Sequence, residues 1–328
     1  MNKYTKISKE LRSVETLIKK DFSKENTISG LYKYIFKSNG KKIRAKLCLT
    51  TSSRTKNKEK IKLASVIELL HTATLIHDDV VDESPTRRGI RSVNNVWTNA
   101  HGVLIGDYIY SKAFIYLVDI GNKKILKELA STTNDIAQGE LVQLDAINNV
   151  NITLNKLKKI SYFKTGRLFE AAAKTGAIIA NENKAFNYNV SECAKNLGIL
   201  FQIIDDLLDY SDSKKIGKPV FQDIKEGKVT YPFFYAYKNA NTREKKRLKD
   251  LLGVSRDLKS KDLELIKSLE GIKKTKQLAE KYHIKAIEYA KKIKNLDIRK
   301  EMIELADTAL NRDKWVLFQK ITIQKMNS

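Results

Sequence analysis

The sequence predicts an all-α protein built as a single large helical domain covering residues 1 to 328. Three observations carry this reading. Only three prolines occur, Pro85, Pro219 and Pro232, and proline is the residue that most firmly interrupts a helix. Between the first two, residues 86 to 218 contain many windows with apolar residues spaced three and four apart, the period of a helix with one buried face. No stretch rich in Pro, Gly or Ser divides the chain.

The elements follow in chain order. GKKIRAKL, residues 40 to 47, is a basic segment, and residues 53 to 60 are polar and read as a loop or exposed helix end. LASVIELLHTATLIHDDVVDE, residues 63 to 83, carries Val66, Leu69, Leu70, Ala73, Ile76 and Val80 as an apolar stripe that ends in an acidic cluster just before Pro85. AKNLGILFQIIDDLLDY, residues 194 to 210, repeats the design, with Leu197, Leu200, Phe201 and Ile204 leading into a second acidic cluster. Residues 240 to 256 are again polar and read as loops or exposed helix ends.

Composition narrows the function classes. No apolar run approaches the roughly 20 residues that a membrane span needs, and MNKYTKISKE lacks an apolar signal core, so a soluble cytoplasmic protein is expected. Cys48 and Cys193 lie far apart among apolar neighbours, which points to buried thiols and away from a disulfide or zinc framework. The net charge of +24 suits nucleic acid, an anionic surface or polyanionic substrates. Much of the lysine is interleaved with Glu and Asp, as on a solvated helix face. No RNA-binding aromatic segment, zinc-finger spacing or basic zipper accompanies the charge, so no nucleic-acid partner is expected.

The two acidic clusters are HDDVVDESPTRRG, residues 77 to 89, and FQIIDDLLDY, residues 201 to 210; each contains Asp-Asp-x-x-Asp at the end of an apolar helix. Asp78 and Asp82 are four apart, as are Asp205 and Asp209, so each pair stacks along one helical face, with Asp79 and Asp206 beside them. Carboxylates crowded on an apolar helix repel one another and lose hydration, at a cost of several kcal/mol per uncompensated ion by rough estimate. Mg²⁺ answers that need, because it bridges one or two carboxylates to substrate phosphates while keeping several waters. One such cluster is more often a solvated helix end. Two clusters, each followed by cations, change that balance: Arg87 and Arg88 follow the first, Lys218 and Lys228 the second. Arginine forks and lysine charges are what diphosphate oxygens require.

At these residues the chain resembles the trans-isoprenyl diphosphate synthases, and within them the bacterial octaprenyl diphosphate synthases that supply quinone side chains. The resemblance covers roughly residues 25 to 318 and includes LIGDYIYSKAF, IAQGELVQL, YFKTGRLFEAA and GKPVFQDIKEGKVTYP in the family's order. Two departures stand in the first basic motif, Asn39 for a glycine and Ala45 for a proline.

The resemblance implies a helical bundle of the isoprenoid synthase type around a central apolar cavity, working as a homodimer with one active site per subunit. It assigns Lys41, Arg44, His71 and Arg88 to the diphosphate of isopentenyl diphosphate. Arg87, Lys164, Thr165, Gln202 and Lys218 fall to the allylic diphosphate or its surroundings, with Lys164, Thr165 and Gln202 nearest the chemistry. Asp78, Asp79 and Asp82 would hold two Mg²⁺, and Asp205, Asp206 and Asp209 a third, about three per site with both substrates bound. His71 alone would more often be a packed core histidine.

The implied reaction ionises the allylic carbon–oxygen bond; the double bond of isopentenyl diphosphate then attacks the cation, and the departing diphosphate removes the proton. Ala73 and Thr74 are both small and lie one turn before Asp78. The resemblance implies that long-chain members leave this position open to the growing tail, and it implies a product near octaprenyl length. A shorter-chain synthase and a non-catalytic synthase subunit are the alternatives, and a terpene cyclase would carry a different second metal motif. A peripheral membrane contact for product delivery is a further expectation.

Overall fold

The computed structural model describes residues 3–20, 24–37, 40–56, 58–87, 89–210, 221–254 and 260–312. They are helical nearly throughout, as the sequence predicts; a two-stranded antiparallel hairpin is their only sheet. No described helix is long and apolar enough to cross a membrane. The chain divides into two compact units, residues 1–133 with 171–191, and residues 134–170 with 192–328.

In the first unit, α1 (Lys3–Lys20), α2 (Asn26–Ile35), α3 (Ile43–Thr51), α4 (Glu59–Val81) and α6 (Asn99–Ile120) supply the core, with the short α5 (Val93–Val96) leading into α6. Helix α4 is its centre: Leu63, Val66, Ile67, Leu69, Leu70 and Ala73 are fully buried. It is buried on more than one face, which the single stripe read from the sequence understated. Helix α6 approaches α4 closely through Gly102 and Gly106, where a β-carbon would meet Val80 at 2.6 Å and the His77 ring at 2.2 Å.

Lys60 departs from the polar-loop reading of 53 to 60. It opens α4, is buried, and pairs with Glu10 at 2.8 Å. Both cysteines are buried and free, as expected.

Helix α4 stops in a Schellman closure. Glu83 takes the left-handed conformation that glycine usually fills (φ 48°), its N–H donates to the Val80 carbonyl, and the Ser84 N–H donates to that of Asp79. Pro85 then forbids continuation. The strands β1 (Thr86–Arg87) and β2 (Ile90–Arg91) follow as a tight hairpin with Gly89 at φ 81°.

Three helices, α7 (Lys123–Leu144), α9 (Arg167–Ile179) and α10 (Lys184–Asp209), contribute residues to both units. The second unit adds α8 (Leu154–Ser161), α11 (Gln222–Lys225), α12 (Tyr231–Asn239), α13 (Thr242–Lys249), α14 (Ser260–Ser268), α15 (Gly271–Lys291) and α16 (Leu296–Leu310). Pro232 sits in the first turn of α12, where its missing N–H costs nothing.

The polar stretch 240 to 256 holds a complete helix, α13, closed by a reciprocal capping box between Asn241 and Glu244. Its single buried residue, Leu248, gave no apolar period to read.

Candidate active site

The first acidic cluster occupies the last turn of α4. Asp78 and Asp79 are helical and Asp82 is the C-cap, its N–H bonded to the Asp78 carbonyl at 2.8 Å. The helix dipole points its negative end at these carboxylates, so the helix itself gains nothing from them and a cation is the natural complement. Asp79 is buried, and burial pushes its carboxyl up to about 6, although Arg87 works in the opposite direction. The hairpin delivers that arginine: Arg87 Nε donates to Asp79 Oδ1 at 2.6 Å.

Two turns earlier, Arg44 on α3 lies 2.9 Å from His71 Nε2 on α4, so two expected diphosphate ligands meet side by side. An arginine only donates, so in this contact Nε2 is the acceptor. A cavity of about 100 Å³ opens next to them, with Lys42, Glu68, His71, Asp79, Arg87 and Arg91 in its wall. That volume suits a small anionic head group and not a whole prenyl chain. Lys41 is exposed at the start of α3. Arg88 and Asn39 lie outside the described residues. Ala45 has a local explanation: its N–H donates at 3.0 Å to the buried Glu68 carboxylate, a bond that the family's proline could not make.

The second cluster closes α10 in the same way, again at the negative end of a helix dipole. Asp209 accepts the backbone N–H groups of Gln222 and Asp223 at 3.0 and 3.2 Å. Gln202 donates to Asp206 at 2.9 Å and accepts from the Thr165 hydroxyl at 2.6 Å, which links three of the expected residues in one chain. Asp223 joins the cluster from α11. Burial first and mutual repulsion second raise Asp209 to about 8 and Asp206 well above the carboxylate range; Asp223 rises to about 6, with Lys228 pulling it back.

Raised carboxylates packed together lack positive charge, and a divalent cation supplies it. No trio of carboxylate, imidazole or thiol groups among the described residues forms a metal site by itself. Mg²⁺ remains compatible with the donor set, because it needs only one or two carboxylates beside waters and phosphate oxygens.

Lys164 and Thr165 stand on a π-helical turn, Tyr162–Gly166, between α8 and α9, where the sequence suggested continuous α-helix. Such turns widen the backbone and re-aim side chains. Gly198 makes room for it: a β-carbon there would lie 2.7 Å from the Gly166 Cα. Lys164 Nζ is held by Glu140 at 2.8 Å and Gln143 at 2.9 Å. Lys218 lies outside the described residues.

The sequence pattern of the polyprenyl synthetase family matches residues 25–269. The chain belongs to the polyprenyl synthetase family. An octaprenyl diphosphate synthase of Escherichia coli (strain K12) is 40% identical over 212 residues, 64% of this chain and 66% of that protein, just under two thirds of its length. Among solved structures, a decaprenyl diphosphate synthase from Rhodobacter capsulatus superposes with a TM-score of 0.88 at 31% identity, covering 94% of this chain and 97% of that one. A polyprenyl synthase from Caulobacter crescentus CB15, complexed with calcium and isoprenyl diphosphate, gives 0.87 at 32%, covering 93% and 95%.

Asp223, Glu140, Gln143 and Arg312 join the candidate residues that were legible in advance. Asp223 and Glu140 lie inside the quoted motifs and could have been singled out as acids beside expected cations. Arg312 gave no signal, because its partner Asp205 is 107 positions away.

Proposed function

We propose that the chain is a Mg²⁺-dependent long-chain trans-prenyl diphosphate synthase that condenses isopentenyl diphosphate head-to-tail onto an allylic diphosphate such as farnesyl diphosphate. The observation that carries this is the pair of acidic clusters, each on the C-terminal turn of a helix and each holding carboxylates that burial raises above their ordinary range. Cations beside each cluster complete a chemistry suited to diphosphate. The calcium and isoprenyl diphosphate of the Caulobacter crescentus structure support the same ligand class.

In this reading Asp78, Asp79 and Asp82 hold two Mg²⁺, and Asp205, Asp206 and Asp209, with Asp223 behind them, hold a third. When bound, the metal supplies positive charge to the departing diphosphate. The resemblance assigns Arg87, Lys164, Lys218 and Gln202 to the allylic diphosphate, where arginine and lysine would add fixed positive charge. Lys41, Arg44, His71 and Arg88 bind the isopentenyl diphosphate. The Thr165 hydroxyl, oriented by Gln202, directs its oxygen dipole to the allylic cation. This chemistry requires apolar surroundings that keep water from that cation.

Octaprenyl length is the reading that the Escherichia coli relative supports, and the Rhodobacter capsulatus structure bears a decaprenyl name. Thr74 is half-buried with its hydroxyl bonded to the His71 carbonyl, whereas Ala73 is fully buried, so Thr74 is the better candidate to gate tail growth. The outer face of α6, which exposes Leu104 (67%), Ile115 (60%) and Val118 (68%) at helical spacing, supports a homodimer through that face. Delivery to quinone synthesis in the cytoplasm, by brief membrane contact, completes the proposal.

Mass analysis of the dephosphorylated product of farnesyl and isopentenyl diphosphates tests this reading. Absence of any elongated product in Mg²⁺ would overturn it.

A further inference from the structure

Helix α16 delivers Arg312 to the second acidic cluster. Arg312 Nη1 donates to Asp205 Oδ1 at 3.0 Å, and the guanidinium carbon lies 4.1 Å from the centre of the Phe201 ring. Phe201 is one turn before Asp205 on α10, so one helical face supplies both the stacking surface and the carboxylate. The ring is itself packed on Phe169, with centroids 5.5 Å apart. A guanidinium can stack and fork at once, which a lysine cannot. Arg312 is seated on this ring, its side chain only 22% exposed, while Asp205 keeps 48% exposure and stays open to an incoming ion.

We propose that Arg312 is an internal counter-ion of the second cluster, which competes with a divalent cation for Asp205 and supplies charge to the metal-free protein in its place. The proposal rests on the reading that this cluster holds divalent cations. Its consequence is a graded metal response: the guanidinium must yield Asp205 before the cation takes it, so the second cluster fills at higher metal concentration than its carboxylates alone would require. The Phe201 ring keeps the guanidinium close, ready to return to Asp205 when the cation leaves.

Mn²⁺ titration of the full-length, substrate-free protein, followed by the electron paramagnetic resonance of the free ion, reads this directly. Arg312→Gln should bind Mn²⁺ up to about five-fold more tightly, the equivalent of about 1 kcal/mol, the upper range for an exposed pair. The same variant should melt below wild type in EDTA and level with it in saturating Mn²⁺. A bridge that is only structural would lower both midpoints equally, and that result overturns the proposal. So does an Arg312→Gln affinity equal to or weaker than wild type while Asp209→Asn weakens Mn²⁺ binding. If Asp209→Asn also binds Mn²⁺ as wild type does, the metal reading of the cluster falls and this proposal with it.

Discussion

Asp209 shows at residue scale how the site trades stability for chemistry. Its carboxyl is held up to about 8, by burial first and by Asp223 second. A carboxyl with a raised folded-state pKa contributes stability while protonated, and loses it as pH climbs from the unfolded-state range through the folded-state value. In EDTA, the thermal midpoint should therefore fall between roughly pH 5 and pH 8, and the rise induced by Mg²⁺ should grow across the same window. Asp209→Asn should flatten the EDTA profile, as differential scanning fluorimetry would record; a wild-type midpoint that climbs across that window contradicts the assignment. Asp78→Ala and Asp82→Ala should abolish turnover in Mg²⁺, as incorporation of labelled isopentenyl diphosphate would record, and near wild-type turnover would contradict the metal assignment. Ala45→Pro tests the sequence's own departure from its family. It deletes an N–H from the buried Glu68 and should cost about 1–3 kcal/mol, read by denaturant unfolding.

At the scale of elements, both acidic turns were legible because an apolar stripe ran straight into them, and the pattern is local. The features that escaped were those set by close approach between distant segments. The π-helical turn at Tyr162–Gly166 is one, since its room comes from Gly198, over thirty positions later. Helix α13 is another, because a helix held by a capping box and one buried leucine has almost no apolar period. Lys60 is a third: a polar letter in a polar stretch, it is buried only because α1 supplies Glu10. Gly198→Ala would press a β-carbon onto the Gly166 backbone and the Phe169 side chain, neither able to yield cheaply. We expect a loss of about 1–3 kcal/mol in stability and a fall in kcat larger than any change in KM, since Thr165 and Lys164 ride on that turn. Equal kcat in the variant would detach the turn from the chemistry.

At the scale of the whole molecule, the exposed apolar face of α6 predicts association. Val118→Glu with Leu104→Lys should convert the protein to monomers in sedimentation velocity, and an unchanged sedimentation coefficient would place the partner surface elsewhere. Thr74→Phe, one turn before Asp78, should shorten the product while condensation continues, since a ring fills the space of several methylenes. Fold class and acidic clusters were readable from spacing in the sequence and the family from the resemblance of its motifs, whereas product length was read only by analogy at Ala73 and Thr74. The most direct measurement is therefore the product itself. Purified protein with farnesyl diphosphate, labelled isopentenyl diphosphate and Mg²⁺ should yield a linear all-trans alcohol of octaprenyl length after dephosphorylation, and nothing in EDTA. Cyclised hydrocarbon formed from the allylic diphosphate alone, or no incorporation of label in Mg²⁺, would contradict the account.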